Sequence, residues 1–125
     1  MPQTKIQVYR ERNGEVPFFE WLLTLKTTNV RAFAKCSAII QRLERLGHEL
    51  RRPESAPLRD DIHELRTRIG TVNYRILYSF NGRNVALLFS GCTKEDRISE
   101  AIIDMTVTRR ARAIANPKIH IATFP

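Results

Sequence analysis

The β-like segments within residues 64–94 carry Arg66, Arg68, Arg75 and, at their end, Lys94, with Glu64 among them and Tyr74, Tyr78, Phe80 and Phe89 close by. A planar guanidinium stays charged and grips two phosphate oxygens at once. Aromatic rings offer faces on which bases stack, so a sheet carrying both kinds of side chain suits RNA phosphates and bases. On charge alone, an acidic protein or an anionic membrane would also be attracted.

The elements that must position these residues are readable from periodicity. Residues 62–69 alternate strictly, placing His63, Leu65, Thr67 and Ile69 on one side and Glu64, Arg66 and Arg68 on the other. Tyr74, Ile76, Tyr78 and Phe80 alternate in the same way with Arg75, Leu77 and Ser79, and Asn81-Gly82 favours a two-residue hairpin into a strand over 85–89. Both faces of that last strand are apolar, which predicts a central position covered on both sides. Upstream, Lys5-Ile6-Gln7-Val8-Tyr9 reads as a half-buried strand. Pro17 opens a helix whose Phe18, Phe19, Trp21, Leu22, Leu23 and Leu25 crowd nearly all its faces, predicting a largely buried element. A second helix follows Asn29, with Phe33, Cys36, Ile40 and Leu43 on one face and Gly47 as its stop. Residues 48–61, with Pro53 and Pro57, read as a surface loop. A last helix begins near Asp96 or Ser99 and ends at Asn116-Pro117, with Arg109, Arg110 and Arg112 in its final turns. Residues 116–125 are a tail without pattern. The reading is therefore a single α+β domain over 1–125, with about four strands, two N-terminal helices and a C-terminal helix in the order β-α-α-β-β-β-α.

Composition agrees with one small basic domain. The 125 residues carry 21 Lys plus Arg against 13 Asp plus Glu, a formal net charge of +8, and 42% of them are hydrophobic. That is enough for one core and makes polyanions the first partners to consider. No window approaches the roughly 20 apolar residues of a membrane span, and residues 1–10 lack a secretory apolar core. An intracellular, cytoplasmic protein is expected. Cys36 and Cys92 read as buried thiols rather than a disulfide framework. His48, His63 and His120 are isolated, and no metal or cofactor is expected.

This order, together with Leu58, Glu64-Leu65-Arg66, Tyr74-Arg75-Ile76-Leu77-Tyr78, the strand over 85–89 and the following Lys94, resembles the RelE/ParE toxin superfamily, and most of all its phage-derived HigB-type branch. The resemblance covers roughly residues 5–115 and implies an antiparallel sheet of about four strands, with two N-terminal helices packed on one face and a C-terminal helix. It implies the toxin of a two-gene toxin–antitoxin module, whose partner would be a helix-turn-helix antitoxin in a hetero-oligomer. RelE-like and HigB-like members cut mRNA on the ribosome without a metal, whereas ParE-like members block DNA gyrase. The fold does not choose between these activities.

Metal-free cleavage uses the ribose 2′-hydroxyl against the adjacent phosphate, which requires charge neutralisation and two proton transfers. By the resemblance, Arg75 matches the catalytic arginine, Arg66 the basic position after the Glu-Leu pair, and Lys94 the lysine after the last strand. Arg68, Glu64 and Arg97 complete the expected RNA-binding surface, and Glu64 could instead orient Arg66. The chain departs from the branch where it reads Gly91-Cys92-Thr93-Lys94-Glu95-Asp96, since Glu95 replaces a second lysine and Arg97 returns one charge nearby. That departure keeps open a catalytically weak relative that only binds nucleic acid or antitoxin. A plainer reading exists for each cation: alternation alone puts polar residues at 66 and 68, where a cross-strand ion pair would add at most about 1 kcal/mol, and Arg75 could cap a nearby carboxylate.

Overall fold

The computed structural model describes residues 3–94 and 97–125. Strand β1 (Lys5–Tyr9) buries Ile6, Val8 and Tyr9. Helix α1 (Pro17–Thr28) opens on Pro17, whose fixed φ suits a first turn and whose missing N–H would have had no helical partner. It buries Phe18 and Leu25 but leaves Leu23 62% exposed, so the helix is covered on one side rather than all round. Helix α2 (Val30–Leu46) starts at Asn29, whose side chain accepts a hydrogen bond from the Ala32 N–H at 3.1 Å. Its inward face is Cys36, Ile39, Ile40 and Leu43, and burial pushes the Cys36 thiol up to about 12.

Strands β2 (Ser55–Arg59), β3 (Ile62–Ile69), β4 (Val72–Phe80) and β5 (Val85–Lys94) follow as antiparallel neighbours. Helix α3 (Glu100–Ala115), the short α4 (Pro117–His120) and β6 (Ile121–Thr123) complete the described chain. The six strands lie in the order β2-β3-β4-β5-β1-β6, antiparallel except where β1 runs parallel to β5.

The sheet thus has six strands where about four were expected. The stretch expected as a loop contains β2, and Pro57 sits within it without harm because β2 is an edge strand, where a missing N–H interrupts no ladder on the open side. The patternless tail supplies α4 and β6, whose three residues pair with Gln7, Val8 and Tyr9 at the other edge. Turn chemistry also differs. The connection at Asn81-Gly82 is a four-residue loop, since β5 begins at Val85 and the Asn81 N–H donates to the Val85 carbonyl at 2.8 Å. Two-residue hairpins occur instead at Asp60-Asp61, both at positive φ, and at Gly70-Thr71, where Gly70 takes φ +60° without a Cβ to clash.

Burial splits into two cores, one on each face of the sheet. Leu65, Tyr74, Ile76, Tyr78, Ala86 and Leu88 pack with α1 and α2, while Leu77, Leu87 and Phe89 pack with Tyr9 and with Ile98, Ile103 and Ala113 of the C-terminal segment. β5 is the doubly covered central strand, as expected. Each fully buried Leu, Ile or Phe contributes about 1.5–3 kcal/mol. A bulge opposite Leu77 and Tyr78 lets β5 change phase, so that Gly91 turns toward Trp21 of α1 and Cys92 joins the α3 core.

Candidate functional site

Glu64 and Arg66 lie two apart on β3 and so share a face, and the register sets Arg66 opposite Arg75 of β4. Two guanidiniums facing across a ladder repel. Glu64 lies between them: the Arg75 Nη1 donates to both Glu64 carboxylate oxygens at 3.0 Å, and the Arg66 Nη1 stands 3.9 Å from Glu64 Oε1. Glu64 and Arg75 are each only 5% exposed. The side chain of Arg66 is 31% exposed, and its Nε donates a long hydrogen bond of 3.4 Å to the Pro53 carbonyl.

Among the described residues, one carboxylate serves both guanidiniums, which leaves the group with a surplus positive charge. Because Glu64 occupies only the Nη1 corner of Arg75, the fork is not used as a bidentate pair, and the buried Arg75 Nε–H has no acceptor among the described residues. A buried unsatisfied donor costs about 1–3 kcal/mol. An anion placed on that edge would remove the cost and the surplus charge together.

The other expected residues are placed as follows. Arg68 is exposed and turned back on its own hairpin, its Nε donating to the Gly70 carbonyl at 2.6 Å, while the Lys35 ammonium bonds the Arg68 carbonyl at 3.0 Å. Lys94 pairs through its backbone with Asn73 at the end of β5, but its side chain, like Glu95 and Asp96, lies outside the described residues. Arg97 is exposed beside Ser99 and Glu100, and among the described residues it forms no ion pair with Glu64. Ser99 caps α3, its hydroxyl accepting from the Ile102 N–H at 3.3 Å. Tyr74 and Tyr78 are core, and His63 faces away from Arg66, as the alternation requires.

The alternation did not reveal that the arginine face is partly roofed. Cys92, the β5 neighbour of Arg75, belongs to the same buried cluster as Ile98 and Ile103, so the start of α3 lies over this side of the sheet. The end of α3 is tied down by its arginines, which the sequence suggested only as a helix-end surface. Arg109 sits over the Tyr9 ring at 5.6 Å and 3.3 Å from Glu11, Arg112 lies 3.9 Å from Glu11, and Arg110 lies 3.7 Å from Asp61.

A model of the family described as phage derived protein Gp49-like (DUF891) matches residues 20–111, well over half of the chain. This chain belongs to that family. The matched Gp49-like region runs from α1 into α3 and contains the whole Glu64–Arg66–Arg75 group, while β1 and β6 fall outside it. No curated protein matches the chain. Among the described residues, no helix is long and apolar enough to cross a membrane.

One titration in this Gp49-like protein has a direct consequence for stability. Burial against Tyr78 and Phe80 holds the His63 imidazole below its ordinary value of 6.5, with Asp61 opposing the shift and His48 adding to it. The folded state therefore binds fewer protons here than the unfolded chain. This contribution is fully present above pH 6.5 and is lost as the pH falls below it. Thermal denaturation followed from about pH 8 to about pH 5 should show stability declining on the acid side, and His63→Phe should make the decline shallower. An identical slope in the variant would assign the decline to other groups.

Proposed function

We propose that this Gp49-like chain is the toxin of a type II toxin–antitoxin module and that, like the RelE and HigB proteins it resembles, it cuts mRNA on the ribosome. The observation that carries this reading is the Arg66–Glu64–Arg75 group, with its surplus charge and an Arg75 Nε–H that has no acceptor among the described residues. In the proposed reaction the ribose 2′-oxygen bonds to the adjacent phosphorus as the bond to the 5′-oxygen breaks, leaving a cyclic phosphate. The 2′-hydroxyl gives up its proton and the departing 5′-oxygen gains one. Arg66, the half-exposed member, meets the phosphate first. Arg75, held in place by Glu64, supplies the second guanidinium as negative charge builds on the phosphorane. Lys94, anchored through its backbone to Asn73, would hold the message. The partner proposed is a helix-turn-helix antitoxin encoded next door, with an acidic segment covering the basic surface.

The test is induced expression with mapping of mRNA 5′ ends, for the wild type, Arg66→Ala and Arg75→Lys. Arg66→Ala removes a half-exposed side chain and Arg75→Lys keeps a cation on Glu64 but removes the planar fork, so both variants should stay folded. New cuts in translated messages with the wild type, lost in both variants, are the expected result. Cuts that persist in a folded Arg66→Ala variant would overturn the assignment of Arg66. A second reading is favoured by the burial of Arg75 in its ion pair: a relative that only binds nucleic acid or antitoxin through this face. Expression without growth arrest supports that reading, and growth arrest with intact mRNA and inhibited supercoiling supports gyrase as the target.

A further inference from the structure

On the face of the sheet opposite Glu64, the start of β3, the end of β4 and the segment after α2 enclose a cleft of about 450 Å³. His48 stacks on Phe80 with ring centroids 3.6 Å apart and planes 19° from parallel. His63 stacks on Tyr78 at 5.3 Å and meets Phe80 edge-on at 5.6 Å. The Tyr78 hydroxyl, in turn, shares a 2.5 Å hydrogen bond with the buried Ser55 hydroxyl, which fixes the floor. Four rings thus converge on one opening. At its mouth stand Arg51 and Arg52, both exposed. Arg42, Arg59 and Arg109 are each held by a carboxylate, but among the described residues Arg51 and Arg52 form no ion pair.

A volume of this order lies within the range of small-molecule sites, about 300–1,000 Å³. Flat aromatic walls beside uncompensated guanidiniums select a ligand with a planar ring at one end and an anion at the other. We propose that the cleft binds a nucleotide, its base stacked against the His48–Phe80 pair and its phosphate held by Arg51 and Arg52. His63, neutral near neutral pH because of its burial, offers one ring N–H and one ring nitrogen lone pair to the edge of the base. Such a site reads stacking and charge rather than one sequence. The inference rests on the geometry of the cleft and not on the activity proposed for the arginine face, which lies on the other side of the sheet.

The test is titration of the full chain, followed by the NMR signals of its histidine rings. The probes are 5′-AMP, adenosine, inorganic phosphate and a short 2′-O-methyl oligoribonucleotide that the proposed reaction cannot cut. The His48 and His63 signals should move with 5′-AMP at lower concentration than with adenosine or phosphate alone. His48→Ala and the pair Arg51→Gln/Arg52→Gln should each weaken 5′-AMP binding about tenfold, the scale of one lost stacking or phosphate contact. Tighter binding of the oligonucleotide than of 5′-AMP assigns the ligand to RNA, and equal binding assigns it to a free nucleotide. Unmoved histidine signals with 5′-AMP, or phosphate as effective as 5′-AMP, would overturn the proposal. No cutting is measured, so a failure of the nuclease reading leaves this result intact.

Discussion

Arg75→Ala should lower the free energy of unfolding by about 3–5 kcal/mol, because it strands the Glu64 carboxylate in the interior without its principal partner. Glu64 is 5% exposed, and the Arg75 Nη1 donates to both of its oxygens at 3.0 Å, so among the described residues the remaining cation paired with it is Arg66 at 3.9 Å. The loss is the desolvation of an unpaired charge rather than the worth of the ion pair. The double substitution Glu64→Leu/Arg75→Met should therefore restore most of it, leaving a protein within about 1 kcal/mol of the wild type or more stable. Chemical denaturation of the two variants checks this. A single variant as stable as the wild type would mean that Glu64 finds water or another partner, and a double variant as weak as the single would mean that packing, not charge, sets the cost. The same reasoning explains why Arg75→Lys, rather than Arg75→Ala, is the informative substitution for function: loss of activity in the alanine variant could report unfolding alone.

Gly91→Ala should destabilise the protein by about 1–3 kcal/mol, the usual range for a methyl group forced into a packed core. A Cβ at residue 91 would come 2.1 Å from the Trp21 ring, far inside van der Waals contact, and the atoms it meets belong to a rigid indole. Either the ring leaves its place beside Phe18, 6.0 Å away, or α1 lifts from β5. The clash should be relieved by shortening the partner: in Trp21→Leu/Gly91→Ala the added methyl occupies space vacated by the indole, so the double variant should be more stable than the sum of the two single changes implies. Urea denaturation of the four proteins measures that coupling. Additive losses would show that the ring and the strand do not share this contact.

Much of the architecture was legible because it depends on local patterns. The alternation over residues 62–69 and 74–80 gave the strands and sorted their faces correctly, with Leu65, Ile76 and Tyr78 toward the helices and Glu64, Arg66 and Arg75 opposite. Pro17 in the first turn of α1 and the capping side chains of Asn29 and Ser99 mark helix starts through chemistry confined to a single turn. Where such signals were overread, turn geometry was the reason. Asn81-Gly82 is the stronger two-residue hairpin signal, yet the tight turns fall at Asp60-Asp61 and Gly70-Thr71. The Asp pair tolerates positive φ because its short side chains can bond locally, a turn signal that stands in the sequence beside the loop signal of Pro57.

The sequence by itself determined an α+β domain with a basic, arginine-bearing strand pair, a doubly apolar central strand and amphipathic helices on either side of it in the chain, because burial imposes period 2 or 3.6 on each element independently of its neighbours. Only the tertiary structure decided what those residues do to one another. Pro57 is tolerated because β2 lies at an edge, β6 is a strand only because β1 offers it a free edge, and Arg75 is a buried partner of Glu64 rather than an open cation because α3 folds over that face. Two of the three histidines that look isolated along the chain, His48 and His63, meet at Phe80 for the same reason. Contacts between distant segments depend on which surfaces remain uncovered once the sheet has formed, and no local period encodes that.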